Sequence, residues 1–196
     1  MPARSPDSSR RNERSHRAIL AAAGELLMDV GYAKLTIEAI AARAGVGKQT
    51  IYRWWPSKGA VVFDALLAMN EGPSGVVLPD TGDIGRDLQT VLRATVEEFL
   101  DPRIDATLRA LTIEIQHDRD LATRLVERLL GPQMDATVDR LRVAQRAGQI
   151  RADVDLRVAV ELLYGPIFHR WLLRTAPLCA AYADTVTALA LAALRP

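Results

Sequence analysis

The chain has 196 residues, a formal net charge of +1, a hydrophobic fraction of 49% and a single cysteine, Cys179. This length and composition are typical of a globular protein that buries a core without disulfides. One cysteine excludes an internal disulfide and predicts a reducing, cytoplasmic location. No apolar run reaches the roughly 18 residues of a membrane-spanning helix, and no apolar segment follows the N-terminal charges as it would in a signal peptide.

The charge is unevenly distributed along the chain. Residues 1–60 contain ten Lys and Arg against five Asp and Glu, whereas the remainder contains 15 basic and 19 acidic residues. A basic N-terminal third on an acidic body indicates a nucleic-acid-binding part attached to a domain with another role.

The N-terminal third begins with a polar segment. Residues 1–11 are polar and basic, which predicts a flexible arm. This arm could follow a phosphate backbone or remain a solvated tail. From residue 12, apolar side chains such as Ile19 and Ala23 recur at helical spacing until Gly31, a residue that favours the end of a helix. We therefore predict a compact helical domain over residues 12–56.

Two short helices joined by a tight turn are predicted within this domain. Thr36 can cap the first helix, and Gly45 can adopt the left-handed conformation that lets the chain enter the second helix. The exposed side chains of the second helix, about residues 47–54, are donors and aromatics suited to DNA: Lys48, Gln49, Thr50, Tyr52 and Arg53. The pattern predicts a helix-turn-helix.

The same stretch resembles the DNA-binding domain of the TetR family of bacterial transcriptional regulators, over residues 17–67. The resemblance is carried by Thr36-Ile37-x-x-Ile40-Ala41, Ala44-Gly45-Val46, Thr50-x-Tyr52, Trp54-Trp55 and Ser57-Lys58. It implies an all-α fold of about nine helices. A three-helix helix-turn-helix domain would precede a C-terminal helical bundle, and a two-fold homodimer would bind palindromic operator DNA. Gly47 departs from the family, which usually has Ser or Thr there, so a hydroxyl that could reach a phosphate is missing.

Within the second helix, the family pattern and side-chain chemistry assign the same roles. Lys48 suits the acceptors of guanine, and Gln49 can bond adenine through two atoms, so both are expected at base edges. Thr50 and Tyr52 are expected to bond phosphates through their hydroxyls.

Residues around the second helix are assigned in the same way. Thr36 and Lys58 lie at helix N-termini, where backbone N–H groups already favour an anion. Trp54 has two open roles, because it could lie on the sugar–phosphate backbone or pack on the first helix. Ile51 and Trp55 are expected in the core.

The remaining chain predicts helices throughout. A connecting helix is expected at 57–70, a linker loop at 71–82 and a ligand-binding and dimerisation domain at 83–196. We expect one long helix to be kinked at Pro132 and another to be bent at Pro166.

The last two helices, about 154–174 and 178–194, are rich in small residues that allow close helix packing. The resemblance implies that these helices form the homodimer interface, and a single short recognition helix reads too few base pairs without such pairing.

The resemblance also implies that the domain over residues 83–196 has a pocket for an unknown small-molecule effector. Sites between bundle helices are mostly apolar with few polar groups. The residues that could line the pocket, or could be ordinary core, are Phe99, His117, Met134, Tyr164, Phe168, His169 and Trp171.

No pattern of catalysis is present in the sequence. The three histidines lack metal spacing and no nucleophile or phosphate-binding motif occurs, so we predict no enzyme, no metal, no cofactor and no membrane partner. The prediction is a repressor released from its operator by a ligand. An activator of the same architecture and a small-molecule-binding bundle with a vestigial helix-turn-helix remain open alternatives, whereas the acidic body disfavours a DNA-packaging protein.

Overall fold

The computed structural model describes residues 8–70 and 78–196, except for the side chains of residues 8–11 and 70, and these residues are helical or irregular with no strand. The helices are α1 (Ser8–Lys34), α2 (Ile37–Ala44), α3 (Lys48–Tyr52), α4 (Lys58–Asn70), α5 (Ile84–Leu100), α6 (Pro102–Glu114), α7 (Arg119–Leu125), α8 (Gly131–Arg146), α9 (Leu156–Leu173) and α10 (Ala180–Leu194). A π-helical segment, Val126–Leu130, joins α7 to α8 without a break. The predicted all-α class is confirmed. Within the described ranges, no helix is long and apolar enough to cross a membrane.

The chain forms two compact units. Unit 1 comprises Met1–Gly72 and Ala106–Leu125, and unit 2 comprises Pro73–Asp105 and Val126–Pro196. Residues 106–125 therefore group with the N-terminal helices, whereas the sequence suggested a single C-terminal domain over 83–196. The reason is tertiary packing that periodicity does not reveal, since α7 packs against α4 and Ala110 joins the N-terminal core.

Unit 1 is built on a core to which all of its first four helices contribute. Helix α1 packs against α2 and α4, and α2 packs against α3. Ile19 of α1, Ile40 of α2, Ile51 of α3 and Val61 of α4 are completely buried in one cluster. Each such side chain contributes roughly 1.5–3 kcal/mol through burial, and this packing holds helices too short to be stable alone.

The first helix differs from its predicted start. It begins at Ser8 rather than at residue 12, so the last four residues of the predicted flexible arm are helical, while residues 1–7 lie outside the described part. Gly31 has a φ of 75°, which interrupts α1 near the position where the sequence predicted its end. Of the predicted linker, residues 71–77 also lie outside the described part.

The helix predicted across Pro132 is present, but its irregular segment lies before Pro132 and not at it. The π-helical turns occupy Val126–Leu130, before the proline rather than at it. Proline removes a backbone donor and crowds the carbonyl four residues earlier, and a π-helical segment is one way in which a helix accommodates such a mismatch. A side chain at Gly131 would press on the carbonyl oxygen of Val126, 2.8 Å from the Cβ position, so glycine fits this turn.

Unit 2 is a bundle of α5, α8, α9 and α10. Its core contains buried side chains from each helix, among them Leu92, Leu141, Leu163 and Ala183. Helix α10 packs against both α5 and α9, while α9 also contacts α8. Pro166 lies inside α9, which continues from Leu156 to Leu173.

A buried ion pair between α5 and α8 was not predicted from the sequence. Asp87 is 1% exposed, and its Oδ2 accepts hydrogen bonds from Nε and Nη2 of Arg140 at 2.9 and 2.6 Å. The Thr81 hydroxyl and backbone N–H also donate to the Asp87 carboxylate. Burial alone would raise the pKa of Asp87, but the hydrogen bonds from Thr81 and Arg140 outweigh it and lower that pKa. The pair fixes how the loop before α5 meets α8.

We expect Asp87→Ala to lower the free energy of unfolding by about 3 kcal/mol, because the buried Arg140 guanidinium then keeps only the exposed Asp80 carboxylate, 3.3 Å away, as a counter-ion. Urea unfolding followed by circular dichroism measures this change. The matched control is Asp184→Ala, which removes a half-exposed carboxylate bonded to Arg93 at 2.7 Å and should have a much smaller effect. Equal losses in the two variants would contradict a structural role for the buried pair.

Candidate nucleic-acid interface

The predicted helix-turn-helix lies at α2 and α3. Thr36 Oγ1 accepts a hydrogen bond from the Ala39 N–H at 3.1 Å and caps α2. Gly45 ends α2 with a φ of 67°, and the N–H of Val46 bonds the carbonyl of Ala41 at 3.0 Å. This six-residue closure needs a left-handed residue at Gly45, where glycine has no steric penalty. The turn therefore directs the chain from α2 into α3.

Helix α3 has one buried and one exposed side. Ile51 and Trp55 are 0% and 1% exposed, which agrees with the core role expected for them. Since α3 has only five residues, these two anchors hold it against unit 1. The side chains predicted to contact DNA are exposed or, for Thr50, half-buried: Lys48, Gln49, Thr50, Tyr52 and Arg53.

The start of α3 carries two features that bear on DNA binding. Gly47 is the N-cap residue and supplies no side-chain hydrogen bond, with open space around its Cβ position. Lys48 Nζ lies 2.9 Å from Glu38 Oε1, across the turn on α2. Reasoning from the sequence missed Glu38, because a pair ten residues apart on two helices follows from the angle between the helices.

Trp54 meets α1 and remains accessible. Its ring lies 5.1 Å from the His16 ring in an edge-on arrangement, and it is 41% exposed. Arg53 reaches over the Trp54 ring at 5.9 Å and donates to Asn12 Oδ1 at 3.4 Å. Of the two roles left open for Trp54, packing on the first helix is present in the structure, and its exposed part leaves contact with a DNA backbone as a prediction.

His16 and Asp64 fix the position of Trp55, and neither was singled out from the sequence. His16 stacks on the Trp55 ring at 4.7 Å. The Trp55 Nε1–H donates to Asp64 Oδ2 at 2.7 Å, and Nη1 of Arg124 lies 3.6 Å from the same oxygen. The chain just after α3 is thereby tied to α1, α4 and α7.

Lys58 occupies a different environment from the other predicted DNA contacts. It is half-buried, donates to the backbone carbonyl of Tyr32 at 3.1 Å and lies 4.1 Å from the centre of the Tyr32 ring. Its ammonium group is therefore bonded to the end of α1. Burial raises the pKa of Tyr32 above its ordinary value, and the hydrogen bond that its hydroxyl donates to Glu114 raises it further.

The residues predicted to line a pocket separate into two groups. Phe99, Met134, Tyr164 and Trp171 are buried or half-buried in unit 2, where the Phe99 and Trp171 rings lie 4.9 Å apart. Thr137 and the Tyr164 hydroxyl share a hydrogen bond of 3.3 Å, while burial raises the pKa of Tyr164.

The other three predicted pocket residues are exposed. Phe168 and His169 point outward on α9, although the Phe168 ring still contacts Trp171 at 5.3 Å. His117 follows α6 in unit 1 and is exposed. Helical spacing places residues on the same or different faces, but it does not tell which face meets the core.

Comparison with known proteins identifies the architecture just described. Residues 19–65 match bacterial regulatory proteins of the tetR family, and residues 78–190 match the tetracyclin repressor-like C-terminal domain. The chain belongs to the TetR family. TetR-family proteins are transcriptional regulators, so the helix-turn-helix of this chain is a DNA-binding element.

Individual TetR-family relatives match over most of the chain. The HTH-type transcriptional regulator YdeS of Bacillus subtilis (strain 168) is 36% identical over 83% of this chain and 81% of its own. The crystal structure of the TetR family transcription regulator SCO0332 is 36% identical, with a TM-score of 0.75 over 93% of this chain and all of that one. A DNA-binding transcriptional repressor TetR of Mycobacteroides abscessus is 28% identical over 82% of this chain and 83% of its own.

Proposed function

We propose that the protein is a transcriptional repressor that binds a palindromic operator as a homodimer and is released by a small-molecule effector. The exposed side of α3 is the observation that carries the DNA-reading part of the proposal. Burial of Ile51 and Trp55 leaves Lys48, Gln49 and Tyr52 exposed on a helix that fits a major groove. Repression is supported by the relative from Mycobacteroides abscessus, which is named a repressor.

We assign different tasks to the exposed residues. Lys48 and Gln49 would contact base edges, where ammonium and amide groups distinguish one base pair from another. Thr50 and Tyr52 would contact phosphates, as would Thr36 and Arg53, and these contacts fix register without reading sequence. Lys58 donates one ammonium N–H to the Tyr32 carbonyl, so it would contact a phosphate only through its remaining N–H groups.

The exposed apolar face of α9 and α10 supports the homodimer. On α9 the exposed positions Val158, Leu162, Gly165, His169 and Leu172 recur with the spacing of one helical stripe. On α10, Leu189 is 69% exposed. An apolar stripe of this kind on a monomer would be exposed to water, and pairing with a second copy would cover it. His169 would then belong to the dimer interface rather than to the effector pocket.

The effector would bind in unit 2 beside the aromatic group formed by Phe99, Tyr164 and Trp171. Its apolar rings and the Tyr164–Thr137 hydroxyls provide the mixture of surfaces that small-molecule sites use. TetR-family regulators bind small-molecule effectors, which favours a ligand role over ordinary packing for this group.

The coupling that we propose runs through residues 106–125, which pack in unit 1 and continue at both ends into unit 2. Glu114 in this segment accepts hydrogen bonds from the Tyr32 hydroxyl and, at 3.5 Å, from the Ser57 hydroxyl. A Cβ atom at Gly59 would overlap with the Glu114 carboxylate, so α4 approaches this side chain closely. A shift of this segment would thus act on α1 and α4, with a coupling free energy of about 1–3 kcal/mol, as is typical of allosteric proteins.

We expect Lys48→Ala and Gln49→Ala to relax the preference for particular base pairs, by about tenfold each, because each removes one base-edge contact. The measurement is selection of duplexes from a random pool by the full chain, followed by titration of single-base variants of the selected duplex. Lys34→Ala is the control, since Lys34 is exposed at the end of α1 and its loss removes the same charge as Lys48→Ala. Unchanged base preferences in both α3 variants would contradict the assignment.

We expect the wild-type chain to sediment as a dimer at micromolar concentration and the double variant Leu162→Glu/Leu189→Glu to sediment as a monomer. Both leucines are exposed in the protomer, so the substitutions should leave the helical signal unchanged and place charges in the interface. Val126→Glu is the control, because Val126 is 52% exposed outside α9 and α10. A dimer in all three proteins would place the interface elsewhere.

A further inference from the structure

An acidic residue lies on the surface that we assign to DNA. Glu38 is in the first turn of α2, and its Oε1 lies 2.9 Å from the Nζ of Lys48 at the start of α3. The two side chains are 63% and 53% exposed, so the pair is accessible to an incoming duplex. The hydrogen bond from Lys48 lowers the pKa of Glu38, which is therefore ionised at neutral pH.

Fold stability gives little reason for this pair. An exposed Lys–Glu contact is screened by water and salt and contributes little to folding. The effect of Glu38 on DNA binding is larger in principle, since a carboxylate beside a phosphate backbone repels it. Glu38 also neutralises the charge of Lys48. Without Glu38, that charge could bind a phosphate in a sequence-independent complex.

We propose that Glu38 is a specificity-determining residue. Its carboxylate would direct the Lys48 ammonium to base edges and away from phosphates. This inference rests on the proposed function. A lysine ammonium has three N–H donors. With one N–H held by Glu38, two remain for the O6 and N7 acceptors of a guanine, and the Glu38 charge stays neutralised. A phosphate in the same place would meet the Glu38 carboxylate, and like charges in contact oppose binding.

The test is Glu38→Gln, which keeps the size of the side chain and removes its charge. We expect its affinity for random-sequence duplex to rise about three- to tenfold at low salt, because Lys48 is then free to neutralise a phosphate. The slope of log affinity against log salt concentration should become steeper by about 0.9, the value for one additional phosphate contact. The affinity for the selected duplex should rise less, so the ratio of selected to random affinity falls.

Two further variants show whether Glu38 acts through Lys48. In the Lys48→Ala background, Glu38→Gln still removes a charge that repels phosphates, but it should no longer lower the ratio of selected to random affinity, and a double-mutant cycle measures this difference. Glu25→Gln is the matched control, because Glu25 pairs with Arg43 at 3.1 Å in the same unit, and Arg43 keeps Asp29 at 3.7 Å when Glu25 is neutralised. Circular dichroism confirms that each variant is folded.

The outcomes separate this inference from the proposed function. If the wild-type chain prefers a selected duplex but Glu38→Gln leaves random-duplex affinity and salt slope unchanged, the role of Glu38 is wrong and the DNA-reading function stands. An equal rise with Glu25→Gln, or an equal fall of the ratio in the Lys48→Ala background, would also overturn it, since the effect would then not act through Lys48. A wild-type chain without any sequence preference would contradict the proposed function itself.

Discussion

The burial of Ile51 and Trp55 is the constraint on which the DNA-binding surface depends. Helix α3 has five residues, and a helix of that length has no stability of its own in water. Ile51 within the helix and Trp55 just after it attach α3 to α1, α2 and α4, and the hydrogen bond from Trp55 to Asp64 sets the orientation of the indole ring. With this side buried, the side chains on the opposite side of the helix, among them Lys48, Gln49 and Tyr52, face outward. The core of unit 1 thus determines which residues a duplex can meet.

The local parts of this arrangement were predictable from the sequence. Thr36 and Gly45 are chemical signals of a helix start and a left-handed turn, and their capping and φ values agree with the prediction. The exposure of the α3 side chains predicted to contact DNA follows from the same reasoning, because exposed and buried residues alternate at helical spacing. The start of α1 at Ser8 was missed, since a polar segment can be helical when it continues a packed helix.

Interactions between residues distant in sequence could not be predicted in this way. Asp87 and Arg140 are 53 positions apart, and nothing in either local pattern indicates that they form a buried pair. Glu38 and Lys48 are close in sequence, but their contact depends on the angle at the turn. Phe168 and His169 were expected at a pocket and are exposed in the chain, since helical spacing does not tell which face of a helix meets the core.

The central claim is that α3 reads base edges in a major groove, and replacement of guanine by 7-deazaguanine in the selected duplex tests it most directly. The substitution removes the N7 acceptor and leaves base pairing and the phosphate backbone intact. We predict that wild-type affinity falls at guanines placed symmetrically in the two half-sites, and that Lys48→Ala is insensitive at those positions. Equal affinity for the substituted and natural duplexes at every guanine would contradict the claim.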